Sequence, residues 1–328
     1  MAYLEDQTAS SMQSVVDQIT AFAVANAGFV LEDSVTIVGA TTTMETLSKG
    51  GMYYYLLGLI QDSTGITPTT DIGMLNGRMM RVLPSDSNYL TPTGIDAQRY
   101  PSKMCTFFNT DGSFEGLNLY TDGDSVHVVL EVNANVFAHM SFGICNKWGT
   151  WTGGEYMMAN NLYQASANNF VFLSVNNTFV FDGRYSTAQT TSTGMNALYR
   201  PLTTPLNDYR DYPRFGSGSA TGTTQYATSS GMAIATTAFT NSLFRASPNT
   251  ATLRTMLIPI YIRVTRESNI NEFHLQGHIP LASYLNIERL SPKEIVDVNW
   301  RVYPYCSKEG DTTSESVSGE YGLAYLRT

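Results

Sequence analysis

The sequence predicts an α+β chain that is mainly β: an N-terminal amphipathic helix laid on a sheet, then a β-sandwich-like body with a long extended arm or insertion. Three observations predict it. One early segment repeats apolar residues at helical spacing. Short runs rich in Val, Ile, Tyr and Phe, bounded by turn residues, recur through much of the remainder. In one long stretch, 183–254, the periodicity fades and runs such as 186–193 and 216–230 carry almost no charge.

The helix is the clearest element. Met12, Val15, Val16, Ile19, Phe22 and Ala23 form a single stripe. Thr8, Ser10 or Ser11 can cap its start, and Gly28 stands where a left-handed residue would end it. Such a stripe packs on the following sheet or on a partner. Strands are expected next at 29–31 and 35–38, separated by a turn at Glu32-Asp33-Ser34. Another is expected at 52–60 after Lys49-Gly50-Gly51.

Further along, 126–132 reads as a buried strand after the turn Thr121-Asp122-Gly123-Asp124, and 137–144 continues beyond a break at 133–135. Residues 170–175 and 178–181, joined at Asn176-Asn177, read as a hairpin. A strand is expected at 256–264, with Pro259 marking an edge or a bulge. Strands at 273–279 and 300–305 follow. Between them Ser291-Pro292-Lys293-Glu294 has the pattern of a helix start, with Ser as N-cap and Glu completing a capping box. The expected division is an N-terminal α/β part over 1–96 and a mostly β body over 97–328. Within the body, 183–254 is either an arm ordered by neighbouring subunits or an exposed insertion. Its interspersed aromatics, among them Tyr209, Tyr212 and Phe215, favour the arm.

Composition narrows the function. Charged residues make up 14% of the 328 residues, against roughly 25% in ordinary globular proteins. Such a surface suits contact with neighbouring chains, and also a plain neutral β protein. A net charge of −9 with no Lys/Arg cluster argues against specific nucleic-acid binding. Cys105, Cys145 and Cys306 lie far apart without CxxC spacing, which fits reduced thiols. The start lacks the basic and apolar regions of a signal peptide, and no apolar run reaches the ~20 residues of a membrane span.

The chemistry-bearing residues do not assemble into a known catalytic pattern. His274 and His278 are four apart, but on a strand that spacing is about 13 Å, too far to share one metal ion. Gly216-Ser217-Gly218-Ser219 lacks the strand-to-helix setting of a nucleophile turn. Cys145 and His139 fall in an apolar strand pattern, where a thiol is inert packing. Asp122 and Asp124 share a turn in which such acids bond the local backbone. No phosphate-binding glycine loop is found. The expectation is therefore no catalytic, metal or cofactor residues and no cofactor. The remaining candidates for glycan or partner contact are Trp148, Trp151, Tyr209, Tyr212 and Phe215, whose rings can equally fill cores and interfaces.

Three stretches carry a resemblance: the opening helix with Gly50-Gly51-Met52-Tyr53-Tyr54-Tyr55-Leu56-Leu57-Gly58-Leu59; Asp124-Ser-Val-His-Val-Val-Leu-Glu-Val running on to Ala138-His-Met-Ser-Phe-Gly143; and Trp300-Arg-Val-Tyr-Pro304 followed by Gly319-Glu-Tyr-Gly-Leu-Ala-Tyr325. In these the chain resembles structural proteins of tailed-bacteriophage virions. The resemblance implies a non-enzymatic virion component at the neck/collar or tail. It implies copies of itself in a ring or other oligomer and other virion proteins as partners, with no membrane and no specific nucleic acid. It also implies assembly in the host cytoplasm. The alternative is a tail-borne receptor- or glycan-binding module using surface aromatics.

Overall fold

The computed structural model describes residues 1–36, 43–50, 52–59, 78–85, 105–109, 114–148, 156–160, 162–166, 169–172, 197–199, 249, 251–252, 254–266, 269–304 and 321–328. Over these the chain is mainly β with one long helix. In order run β1 (Ala2–Ala9), α1 (Met12–Asn26), β2 (Val30–Thr36), β3 (Thr43–Lys49), β4 (Met52–Leu59), β5 (Arg78–Ser85) and β6 (Cys105–Asn109). Then come β7 (Phe114–Thr121), β8 (Ser125–Asn133), β9 (Val136–Ile144), β10 (Asn146–Lys147), β11 (Tyr156–Asn160), β12 (Leu162–Ser166), β13 (Asn169–Phe172) and β14 (Ala197–Tyr199). The last are β15 (Ile258–Arg266), β16 (Asn269–Asn286), β17 (Ile295–Val296), β18 (Trp300–Pro304) and β19 (Tyr321–Leu326).

These strands form a central sheet ordered β1-β7-β8-β9-β11-β14, a meander β2-β3-β4-β5-β6, a sheet ordered β10-β16-β19-β18-β17 with β15 on β16, and a β12-β13 pair. Residue 96, the expected boundary, lies outside the described residues. The pairs β1–β7 and β5–β6 join chain from before and after it.

Helix α1 forms where its stripe predicts. Val15, Val16, Ile19, Phe22 and Ala23 are buried, each larger side chain contributing about 1.5–3 kcal/mol. Ser11 is the N-cap, its Oγ accepting from the Ser14 N–H at 3.1 Å. Gly28, at φ 64°, ends the helix in the left-handed conformation that L side chains resist. Phe29 then packs edge-on against Tyr54 of β4 and Phe142 of β9, with centroids 5.6 and 5.4 Å away. The Tyr54 hydroxyl donates to the Gly143 carbonyl at 3.1 Å. This aromatic group joins the helix end and the meander to the central sheet.

Strands β8 and β9 are buried on both faces, and alternation gives the faces different chemistry. Val126, Val128 and Leu130 project to one side, while Ser125, His127 and Val129 project to the other. The register sets Tyr120, His127 and Ser141 in one row across β7, β8 and β9.

Several expectations need correcting. Glu32-Asp33-Ser34 is no turn but the middle of β2, with a bulge between Leu31 and Asp33 absorbing the irregular pattern. Ser291–Glu294 starts no helix. The Ser291 N–H does bond Glu294 Oε2, at 2.7 Å, but Lys293 takes φ 67°. Its N–H donates to the Val302 carbonyl while the Val302 N–H donates to Glu294. Pairing with β18 has taken the backbone groups that a helix would need. The segment 170–172 forms its hairpin with β12 upstream, while 173–181 lies outside the described residues. Strands β1, β3, β5, β6, β7, β11 and β12, among others, fall where the sequence reading expects none. Pro259 does sit at a bulge, and among the described strands β15 pairs with β16 alone. Of 183–254, the described parts are β14, paired to β11, and an isolated bridge between Asn249 and Arg254.

Candidate functional site

The polar face of the central sheet meets β18 and β19, and buried His127, His139, Ser125, Ser141, Tyr120, Tyr303 and Tyr325 converge there. Tyr325 of β19 stacks on Tyr120, at 5.2 Å and 11° between planes, and on His139, at 5.8 Å and 15°. Tyr303 of β18 contacts Tyr120, Phe137 and His139 edge-on. Each aromatic pair is worth ~1 kcal/mol beyond its buried area.

Hydrogen bonds fix the tautomers. His139 Nε2 lies 2.9 Å from the Pro304 carbonyl, which can only accept, so Nε2 carries the proton. Nδ1 then accepts from the Tyr325 hydroxyl at 3.0 Å. Ser125 Oγ donates to Asp122 Oδ1 at 3.0 Å and so accepts from His127 Nε2 at 3.2 Å. His127 Nδ1 accepts from Ser141 Oγ at 2.7 Å. Burial lowers both imidazoles to about 4; at His127 the Asp122 carboxylate and the Pro280 carbonyl oppose this, and at His139 the Pro304 carbonyl does. Both are neutral near pH 7.

Ser125, His127 and Asp122 thus form a hydrogen-bonded Ser-His-Asp set, but the geometry is not that of a hydrolase. Asp122 bonds the serine rather than orienting the imidazole, and Ser125, His127 and Ser141 are 0% exposed. No substrate atom reaches them. The arrangement ties strands together.

At the margin of this seam lies an ion cluster. The Tyr303 and Tyr120 hydroxyls are 2.6 Å apart, and Tyr120 donates to Glu5 Oε1 at 2.8 Å. Arg301 reaches Glu5 at 2.8 Å and Asp6 at 2.6 Å; Lys293 reaches Asp6 at 3.2 Å and Glu131 at 2.5 Å; Arg327 reaches Glu5 at 3.1 Å. Partial burial would raise the Asp6 carboxyl, but the bonds and charge of Arg301 and then Lys293 outweigh it and hold it below its ordinary value. Burial of Tyr120 pushes its hydroxyl well up, with Tyr303 and Glu5 adding to the effect.

Of the residues singled out for glycan or partner contact, Trp148 is 47% exposed. Its Nε1–H donates to His278 Nδ1 at 3.2 Å, and Asn146 lies 3.1 Å from His278 Nε2. Trp151, Tyr209, Tyr212 and Phe215 lie outside the described residues. His278 belongs to β16, as the strand reading of 273–279 expects. Asp122 bonds the backbone N–H groups of Asp124 and Ser125, as its turn predicts, and Asp124 pairs with Lys49 at 3.0 Å. Cys145 is buried. No group of His, Cys, Asp and Glu among the described residues has metal-site geometry, and no described helix is long and apolar enough to cross a membrane.

The sequence reading missed the seam. Its signal was the start of β8, Ser125-Val-His-Val-Val, where Ser125 and His127 put two polar residues on one face of an otherwise apolar run. No family model matches this chain, and no curated protein matches its sequence.

Proposed function

We propose that this chain is a non-enzymatic structural component of a tailed-phage virion, at the neck/collar or tail, with a β-sandwich-like body that assembles through inter-subunit β-rich and arm contacts. The observation that carries this reading is the location of the reactive side chains. Among the described residues His127, His139, Ser125, Ser141 and Cys145 are buried, and the histidines and Ser141 bond across neighbouring strands. The low charge of the whole chain and the resemblance in its three stretches support the assembly role. Light scattering tests it: the purified chain should have the mass of a closed multimer, and a monomer at all concentrations would count against it.

A second reading, a tail-borne receptor- or glycan-binding module, is favoured by one observation. Trp148 is half exposed, and its indole N–H is fixed to His278; a ring so held loses little entropy on stacking against a sugar face. Glycan-array binding lost in Trp148→Ala and kept in Trp148→Phe would favour this reading over the first.

A further inference from the structure

Strand β1 is held to the molecule more by charge than by apolar packing. Of its eight residues only Ala9 is buried, with Ala2 and Leu4 partly packed on the core. Its register against β7 slips twice, around Gln7, and Asp6 takes the left-handed φ of 53°. Against this weak apolar attachment stand the ion pairs of Glu5 and Asp6 with Arg301, Arg327 and Lys293, and the Asp6 N–H bond to Asn118 Oδ1 at 3.0 Å. This is a concentration of charge in a chain that is otherwise poor in it.

The joint to the rest of the molecule is short. Only Ser10 and Ser11 separate β1 from α1, and Ser11 is already extended at φ −159° and ψ 166°. Rotation at Ser10 carries β1 off β7 and leaves the Ser11 cap in place.

We propose that β1 is exchanged between copies of this chain, β1 of one copy pairing with β7 of the next. The proposal rests on the assembly reading above and names its contact. Every bond that β1 makes in its own chain can be remade by the same strand from a second copy, so exchange is close to neutral in energy and is driven by concentration. Charge selects the occupant. With β1 gone, the edge presents Arg301 and Arg327 without an acidic partner among the described residues, and Lys293 with Glu131. An acceptable strand brings two adjacent acids and small inward side chains, as Glu5, Asp6 and Ala9 do.

Disulfide trapping tests this. Ala2 and Thr121 face each other in the β1–β7 register. Ala2→Cys and Thr121→Cys are placed in separate chains, refolded together, oxidised mildly and resolved on a non-reducing gel. Exchange predicts a covalent pair of the two variants, absent from either variant alone and from the parent chain with its own cysteines. Leu4→Cys with Leu119→Cys, also opposite in register, repeats the test should the first pair fold poorly. A doubly substituted chain that closes its disulfide internally, with no cross-linking in the mixture, would overturn the exchange. If that chain is still multimeric by light scattering, only the exchange fails. If it is monomeric, the assembly reading fails as well.

Discussion

Gly143 stands where β9 passes the turn before β8. Its φ is 119°, and a Cβ there would lie 2.6 Å from the Asp124 carbonyl oxygen and 2.7 Å from Ser125 Cα. Backbone strain and overpacking then act together, so Gly143→Ala should cost roughly 2–4 kcal/mol, read as a lower denaturant midpoint with an unchanged slope. The histidines act at the same scale. Both folded pKa values are depressed to about 4, below the ordinary 6.5. The unfolded chain therefore binds protons first as pH falls. The stability tied to the neutral imidazoles is complete above about 6.5 and is lost as pH drops from there towards 4, on the order of 3 kcal/mol for each. Urea titrations across that range should show the fall, and His139→Gln, which cannot take up the charge, should flatten about half of it.

Among the elements, α1 was legible almost to the residue because its signals are local: a stripe, a hydroxyl before it and a glycine after it. Ser11→Ala should cost about 1 kcal/mol, and Ile19→Ala, emptying a buried position, roughly 2–5 kcal/mol; thermal melts of both variants would check this order. Other elements hid for physical reasons. Strand β1 carries Glu5 and Asp6, which read as solvated residues until Arg301, distant in sequence, is placed beside them. Strand β7 is interrupted by Gly116 and Asn118, and the value of Asn118 lies in bonding the Asp6 N–H. At Ser291–Glu294 the local capping signal was real, yet the long-range pairing with Val302 prevailed. The polar seam was hidden likewise. Alternation shows that His127 and His139 leave their strands on a particular face, but not that Pro304 and Tyr325 wait opposite.

For the whole molecule, the mainly β character followed from many short β-branched and aromatic runs, each weak alone but consistent together. The proposed assembly makes a separate demand on 183–254. Its polar, low-charge, aromatic-studded sequence suits contact between subunits better than a share of one subunit's core. Replacing 200–248 with a short Gly/Ser linker should leave the unfolding midpoint near that of the parent chain and abolish the multimer. Electron microscopy of an intact tailed particle tests the virion role most directly. The account predicts density with this helix and these sheets, repeated around the tail axis at the neck or tail. Purified particles that lack the chain altogether would contradict it.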